Sequence, residues 1–312
     1  MCAWPGLVGL VILAALALWG TVSAASNAAG GPAGSGDAAS GEPAVAADAA
    51  EREMLARLDA AARTLTAALR QQGGSDADEV VRLSAAAGEA AGQLGEGWSA
   101  TQRLREAMTL TDAGALRRAL TAVAADVSFR PRVEAPVPPG WPAFTPINEV
   151  RVKTYPAYRA AFTTRNPALF RESRNFWTLF QHISSRNIPM TAPVEMPMSE
   201  GARGLREAGM AFLYPDMQTG TVGETDNGAV QVVDVPPATV VSIGIRGKST
   251  DARVKAAYDR LTAWLDAHAG EWERAGSPRV MGWNSPSVPD RLSYTEVQIP
   301  VRPVTPAASS DR

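Results

Sequence analysis

From residue 149 onward the chain spells one unit twice: strand, strand, helix, strand, strand. No other feature limits its possible folds as much. In the first copy Val150, Val152 and Thr154 alternate, and Tyr158, Ala160 and Phe162 follow across Pro156, which predicts two strands. Residues 169–186 predict a helix with Leu169, Phe176, Phe180 and Ile183 on one face. Residues 194–198 and 209–214 predict two more strands. In the second copy the β-branched runs 230–235 and 239–245 precede a helix over 250–268, whose buried face carries Val254, Ala257, Leu261 and Leu265. Strands over 278–283 and 292–299 complete it. The expectation is an α+β fold with pseudo-twofold symmetry, eight strands and two helices. Such a sheet can close into a barrel or wrap so that no long edge is left open.

Between the first helix and its following strand stands RNIPMTAPVEMPM, residues 186–198. Pro189 and Pro193 have no backbone N–H and push their preceding residues toward extended geometry. The helix must therefore stop near Asn187. Thr191, between the prolines, can bridge local backbone groups with its hydroxyl. Met190, Val194, Met196 and Met198 share a soft apolar face at mostly strand spacing. Taken by itself, the segment reads as an ordinary helix-to-strand connection.

The first half of the chain has a different grammar. Residues 7–19 are uninterruptedly apolar, and small residues end at Ala24, which predicts a signal peptide over 1–24 and an exported protein, periplasmic or extracellular. An uncleaved membrane anchor is the alternative. The only cysteine, Cys2, lies in this segment, so the mature chain would hold no thiol for disulfides, thiolate metal sites or nucleophilic catalysis. Residues 25–47 are Ala, Gly, Ser and Pro with almost no large apolar side chain, which predicts a disordered linker. Three helical stretches follow within 48–128: residues 48–72 with Asp48 as cap, 76–94, and 99–127 broken near Thr111 and Asp112. Their narrow alanine-lined seams suit a small antiparallel bundle, either a stabilising appendage or a surface for partners or self-association. Six prolines stiffen 129–148 into an extended connector, and 303–312 is a polar tail. With 30 basic against 32 acidic residues, nothing points to nucleic acid.

Three segments of the second half then carry a family resemblance. Asn187 with MTAPV at 190–194, FLYP at 212–215, and GWNSP at 282–286 followed by Glu296 and Val297 stand in order and at fitting distances. Residues 149–302 resemble the SOUL haem-binding proteins. That resemblance implies the α+β pseudo-symmetric fold and reversible, non-covalent binding of haem or a related tetrapyrrole. Burying several hundred Å² of a macrocycle gives on the order of 10 kcal/mol gross at about 25 cal/mol per Å², before the cost of association.

The candidate cofactor contacts are Arg174, Phe176, Trp177, Phe180, His182, Met190 and Met281. Phe176, Phe180 and Trp177 offer flat walls, Met190 and Met281 a soft lining, and Arg174 a forked donor for propionates, as do Arg171 and Arg186. His182 and His268 are the only histidines. His182 lies about 200° around the helix from Phe180 and so points away from the apolar stripe. His268 ends the second helix, where a cation suits the dipole. Some family members carry a histidine just before the tyrosine of the first strand. Thr154 stands there, so the resemblance implies haem held without that axial ligand. Gly-x-Ser-x-Gly, His-Glu-x-x-His and phosphate loops are absent from the sequence. Glu195 and Glu296 remain as carboxylates that could share a cleft, which leaves a hydrolase with one of them as general base, or a barrel for another amphipathic ligand, as alternatives to a haem carrier.

Overall fold

The computed structural model describes residues 41–164, 172–201, 204–226 and 228–304. The expected signal with Cys2, most of the expected linker, Leu169, Arg171 and the end of the tail lie outside them. No helix among the described residues is long and apolar enough to cross a membrane.

Helices α1 (Gly41–Arg70), α2 (Asp76–Leu94), α3 (Ser99–Ala107) and α4 (Ala113–Val127) form the N-terminal bundle. α1 begins at Gly41, so Asp48 lies inside the helix instead of capping it. Gly73 and Gly74 have φ of 103° and 95°, a left-handed turn that separates α1 from α2 at little steric cost. Ser75 and Asp78 then close a reciprocal cap: each side chain accepts the other's backbone N–H, at 3.2 and 3.0 Å. The break expected near Asp112 is real, and its carboxylate accepts the Ala115 N–H at 2.6 Å. Leu58, Leu65, Leu83, Leu94, Leu104, Leu116 and Leu120 fill the seam between small alanine contacts.

Strands β1 (Val150–Tyr155) and β2 (Tyr158–Thr164) lead to α5 (Glu172–Ser185). Then come β3 (Val194–Gly201), β4 (Gly204–Glu207), β5 (Gly209–Leu213), β6 (Gln231–Val235) and β7 (Ala238–Arg246). After α6 (Asp251–Ala267) follow β8 (Trp272–Arg274), β9 (Arg279–Gly282) and β10 (Tyr294–Pro303). All strand pairs are antiparallel, and the path runs β1-β7-β10-β9-β3-β5-β2-β6. Exchanging the first copy for the second (β1 for β6, β2 for β7, β3 for β9, β5 for β10) reverses this order onto itself. The pseudo-twofold therefore passes between β3 and β9, where Val194 faces Gly282. The eight strands of the path are the eight expected; β4 and β8 are short additions pairing with β3 and β10, which makes ten. The sheet is open, with β1 and β6 at its ends, so the closed-barrel alternative does not hold. Period-two alternation gives the sheet two covered faces. Val280, Val297, Ile299 and Val301 pack under α6, and Ala161, Phe212 and Val232 under α5.

The proline-rich segment 129–148 is extended, as expected, but lies packed along the other face. Trp141 sits edge-on to Tyr155 and Tyr158 at 4.6 and 5.2 Å, and Phe144 meets Tyr294 at 6.0 Å. Ile147 bridges Gly244 in parallel. A Cβ on Gly244 would fall 2.1 Å from the Thr145 carbonyl oxygen, so only glycine permits this approach. Bundle and sheet are joined by Glu149, which accepts the N–H groups of Ser99 and Ala100 at 2.8 Å each and so caps α3.

Candidate functional site

α5 positions the aromatic candidates. Leu179 and Ile183 are fully buried on Phe212, Tyr214 and Val232, while Phe176 and Phe180, one turn apart, emerge half-buried at the rim. Their rings stack at 6.1 Å with 11° between planes. Trp177 stands perpendicular to both, with centroids 5.6 Å from each. Phe176 also meets Phe212 edge-on at 5.1 Å, which anchors the cluster to β5. Met190, Val194 and Met196 belong to the same apolar cluster. Arg174 is exposed near the start of α5. The structure thus gathers Phe176, Trp177, Phe180 and Met190 into one partly exposed apolar cluster, with Arg174 on the same helix.

The turn that ends α5 follows from the sequence. Asn187 takes φ of 53° and Ile188 N–H returns to the Ile183 carbonyl at 2.9 Å, closing the helix before Pro189. Thr191 then donates its hydroxyl to the Leu213 carbonyl at 2.7 Å, tying the segment between the prolines to the end of β5.

Two candidates lie elsewhere. Met281 is fully buried with Phe129, Trp283 and Tyr294, on the sheet face opposite α5. The reason is the alternation of β9: Val280 points to the helices, so its neighbour points away. His182 does leave the apolar stripe, yet it is not solvated. It is 1% exposed, with Nδ1 2.6 Å from Asp226 and Nε2 2.7 Å from the Tyr214 hydroxyl. Burial, with Glu224 adding to it, pushes the Tyr214 hydroxyl up to about 12, so it keeps its proton. With both ring nitrogens engaged, His182 has no lone pair to offer iron. Arg186 is likewise held by Glu224 and, at 2.6 Å, by Asp226. Thr154 is exposed beside Thr239, their hydroxyls 3.1 Å apart.

Glu195 and Glu296 do share one face, beneath the 129–148 segment. Lys153 Nζ lies 3.0 and 3.1 Å from the two oxygens of Glu296, which also accepts from Thr145 N–H, Tyr294 OH and Gln298 at 2.8, 2.8 and 2.7 Å. Arg279 continues the chain, donating to Gln298 and to Tyr158 OH at 2.9 Å each; Tyr158 in turn donates to Glu195 at 2.6 Å. Burial drives the Glu296 carboxyl upward, but Lys153 and the Thr145 N–H outweigh it and hold it below the usual range. Burial lowers the Lys153 ammonium, offset in part by Glu296. The sequence offers both glutamates as carboxylates that could share a cleft; the cations that neutralise them, Lys153 and Arg279, come from distant positions in the chain and carry no local signal.

The sequence model described as SOUL heme-binding protein matches residues 142–300. The chain belongs to the SOUL haem-binding family. The match begins at Pro142, within the segment that packs on the sheet, and ends in β10. No curated protein matches the chain. Among solved structures it is similar to a hydrolase from Listeria innocua, at 10% identity and a TM-score of 0.38, covering 51% of this chain and 94% of that one. It is also similar to the EcmrR C-terminal domain, at 15% identity and a TM-score of 0.37, covering 50% and 98%. Against the EcmrR chain seen in its DNA complex it covers 58% of that chain, at 16% identity and a TM-score of 0.37. A tetrapyrrole needs apolar cover, and Phe176, Phe180 and Met190 supply partly exposed apolar surface on and just after the helix that also carries Arg174.

Proposed function

We propose that this chain is an exported, non-covalent carrier or buffer of haem or a related tetrapyrrole, not a catalyst. The observation that carries the reading is the partly exposed ring cluster of Phe176, Trp177 and Phe180, packed on Phe212 through Phe176. A contiguous set of large rings left partly open to water marks a place where an apolar partner can bind. Bound haem would bring its own iron chemistry; the chain supplies apolar cover, orientation and a guanidinium near the propionates. The Glu296 and Glu195 groups are committed to Lys153, Tyr158 and Arg279, which supports binding over hydrolysis.

Titration of the full mature chain with haemin, followed by the Soret band, tests this. A saturable shift at micromolar haemin is expected. Its absence overturns the proposal. Cell fractionation with N-terminal sequencing tests export: the expected product begins near Ala25, and an intact N-terminus in the membrane fraction overturns the soluble carrier.

A further inference from the structure

We infer that the cleft at the junction of bundle and sheet binds a small phosphate monoester, gripped by Arg246 and Arg260. The cleft has a volume of about 260 Å³. Its walls come from the end of α4 at Asp126, the connector at Asn148, the end of β7 at Arg246 and two turns of α6. That volume lies just under the roughly 300–1,000 Å³ of sites for drug-sized ligands, so it suits a small molecule.

The cleft is set apart by the way its cations are held. Arg253 is paired with Asp290 through both terminal nitrogens, at 2.6 and 2.8 Å, and Asp126 is taken by Arg103 at 2.6 Å. Arg246 and Arg260 have no carboxylate partner among the described residues. Arg260 donates to the side-chain oxygen and the carbonyl of Asn148, at 2.7 Å each. Asn148, in a left-handed backbone conformation with φ of 62°, also donates to Asp126 at 2.9 Å, so one amide orients both charges. Arg246 donates its Nε to the Arg291 carbonyl at 2.7 Å, and its guanidinium lies 5.3 Å from the centre of the Phe129 ring. Its two terminal nitrogens have no hydrogen-bond partner among the described residues. These partners of Arg246 and Arg260 are neutral, so they fix each guanidinium in place and leave its charge uncancelled. Glu149, further back, is taken by the Ser99 and Ala100 N–H groups and faces Arg151. Partial desolvation lowers the Arg260 guanidinium, and Glu149 and Asp126 restore it only in part. Both arginines remain open to solvent, where a ligand can reach them.

Two uncancelled guanidiniums match a dianion. A phosphate monoester carries about −1.5 to −2 near neutral pH and offers three oxygens to their forked donors. A carboxylate would answer only one of the two charges. Ile147, Ile245 and Ala257 line the same cleft and give the ester's small organic body apolar cover. Since α4 supplies one wall, the bundle is part of the site.

The site is independent of the haem reading. The full mature chain is titrated with phenyl phosphate, inorganic phosphate and benzyl alcohol by calorimetry, alongside Arg246→Gln, Arg260→Gln, Ala256→Trp and the control Arg63→Gln on α1. Saturable binding of phenyl phosphate is expected at about 1 mM or below, with inorganic phosphate weaker and benzyl alcohol not bound. Each cleft glutamine variant is expected to weaken binding on the order of tenfold. Ala256→Trp keeps both arginines and fills the cleft from an exposed position of α6, and is expected to abolish binding. Arg63→Gln stays at the wild-type value, and circular dichroism verifies the fold of each. Absence of saturable phenyl phosphate binding overturns the inference. So does wild-type affinity in the folded cleft variants, which places the anion elsewhere. Inorganic phosphate binding as tightly as phenyl phosphate overturns the organic ester as ligand, and benzyl alcohol binding as tightly overturns the role of the charge.

Discussion

The carboxylate of Glu149, at the start of the sheet, accepts the backbone N–H of Ser99 at 2.8 Å across fifty residues of chain. It is 2% exposed and also accepts from Ala100, so one side chain terminates α3 and joins bundle to sheet. Glu149→Ala is expected to destabilise the chain by about 1–3 kcal/mol, through the lost cap and the orphaned N–H groups. Urea unfolding measures this, and limited proteolysis is expected to cut within 129–148 more readily. Wild-type stability and cleavage would show that the two parts are held by other contacts.

Gly244→Ala addresses the packed connector. The added methyl meets two backbone carbonyl oxygens, of Thr145 and Pro146, at 2.1 and 2.8 Å, and backbone cannot rotate aside. A loss of about 1–3 kcal/mol is expected from overpacking, with a lower thermal midpoint. An unchanged midpoint contradicts the close approach.

Acid should weaken the fold, and the sign follows from the carboxylates. Glu296 and Asp226 are both held below their usual values. Burial acts upward on each, but is outweighed at Glu296 by Lys153 and at Asp226 by His182 and Arg186. A group whose folded pKa is depressed stabilises above its unfolded value, about 4 for carboxylates, and that contribution is lost as pH falls through the folded value. Glu149 runs the opposite way: burial raises it despite the Ser99 and Ala100 N–H bonds, so its contribution is present at low pH and lost as pH rises. Urea midpoints between pH 6 and pH 3 are expected to fall with acidification, and Glu296→Gln to flatten that slope. A slope unaltered in the variant would mean the carboxylate is not held low.

His182→Ala removes a buried ring and both of its hydrogen bonds, and leaves the Tyr214 hydroxyl unpaired. A cost of about 2–4 kcal/mol is expected. The haemin spectrum of the folded variant should match the wild type. A changed spectrum would return His182 to the list of iron ligands.

Trp177→Ala, by contrast, should leave stability within about 1 kcal/mol, because the residue is partly exposed and lies outside the fully buried core. Haemin affinity is expected to fall about tenfold, the equivalent of roughly 1.4 kcal/mol of lost aromatic contact. Equal affinity would move the macrocycle away from α5.

Much of this was readable along the chain, because it depends on near neighbours. The apolar spacing of α5 and α6, the break near Asp112, the helix stop at Asn187 and the doubled order of elements are each decided within a few residues, whereas the start of α1 at Gly41 lies ahead of the expected cap Asp48. So is the gathering of Phe176, Trp177 and Phe180, which one helical turn brings together. β4 and β8 escaped notice because four and three residues with no sustained alternation give too little signal.

The rest depended on partners brought from far along the chain. A helical wheel shows that His182 leaves the apolar stripe, but not that Asp226 and Tyr214 wait there. Strand alternation says that Met281 and Val280 face opposite ways, and pairing with β3 and β10 decides which way that is. Whether eight strands close or stay open is a matter of edges meeting or missing, and no stretch of sequence contains both edges. Local sequence specifies elements because backbone geometry and hydrophobic periodicity act over single turns; tertiary structure specifies neighbours, since a buried polar group takes whichever partner the folded chain delivers to it.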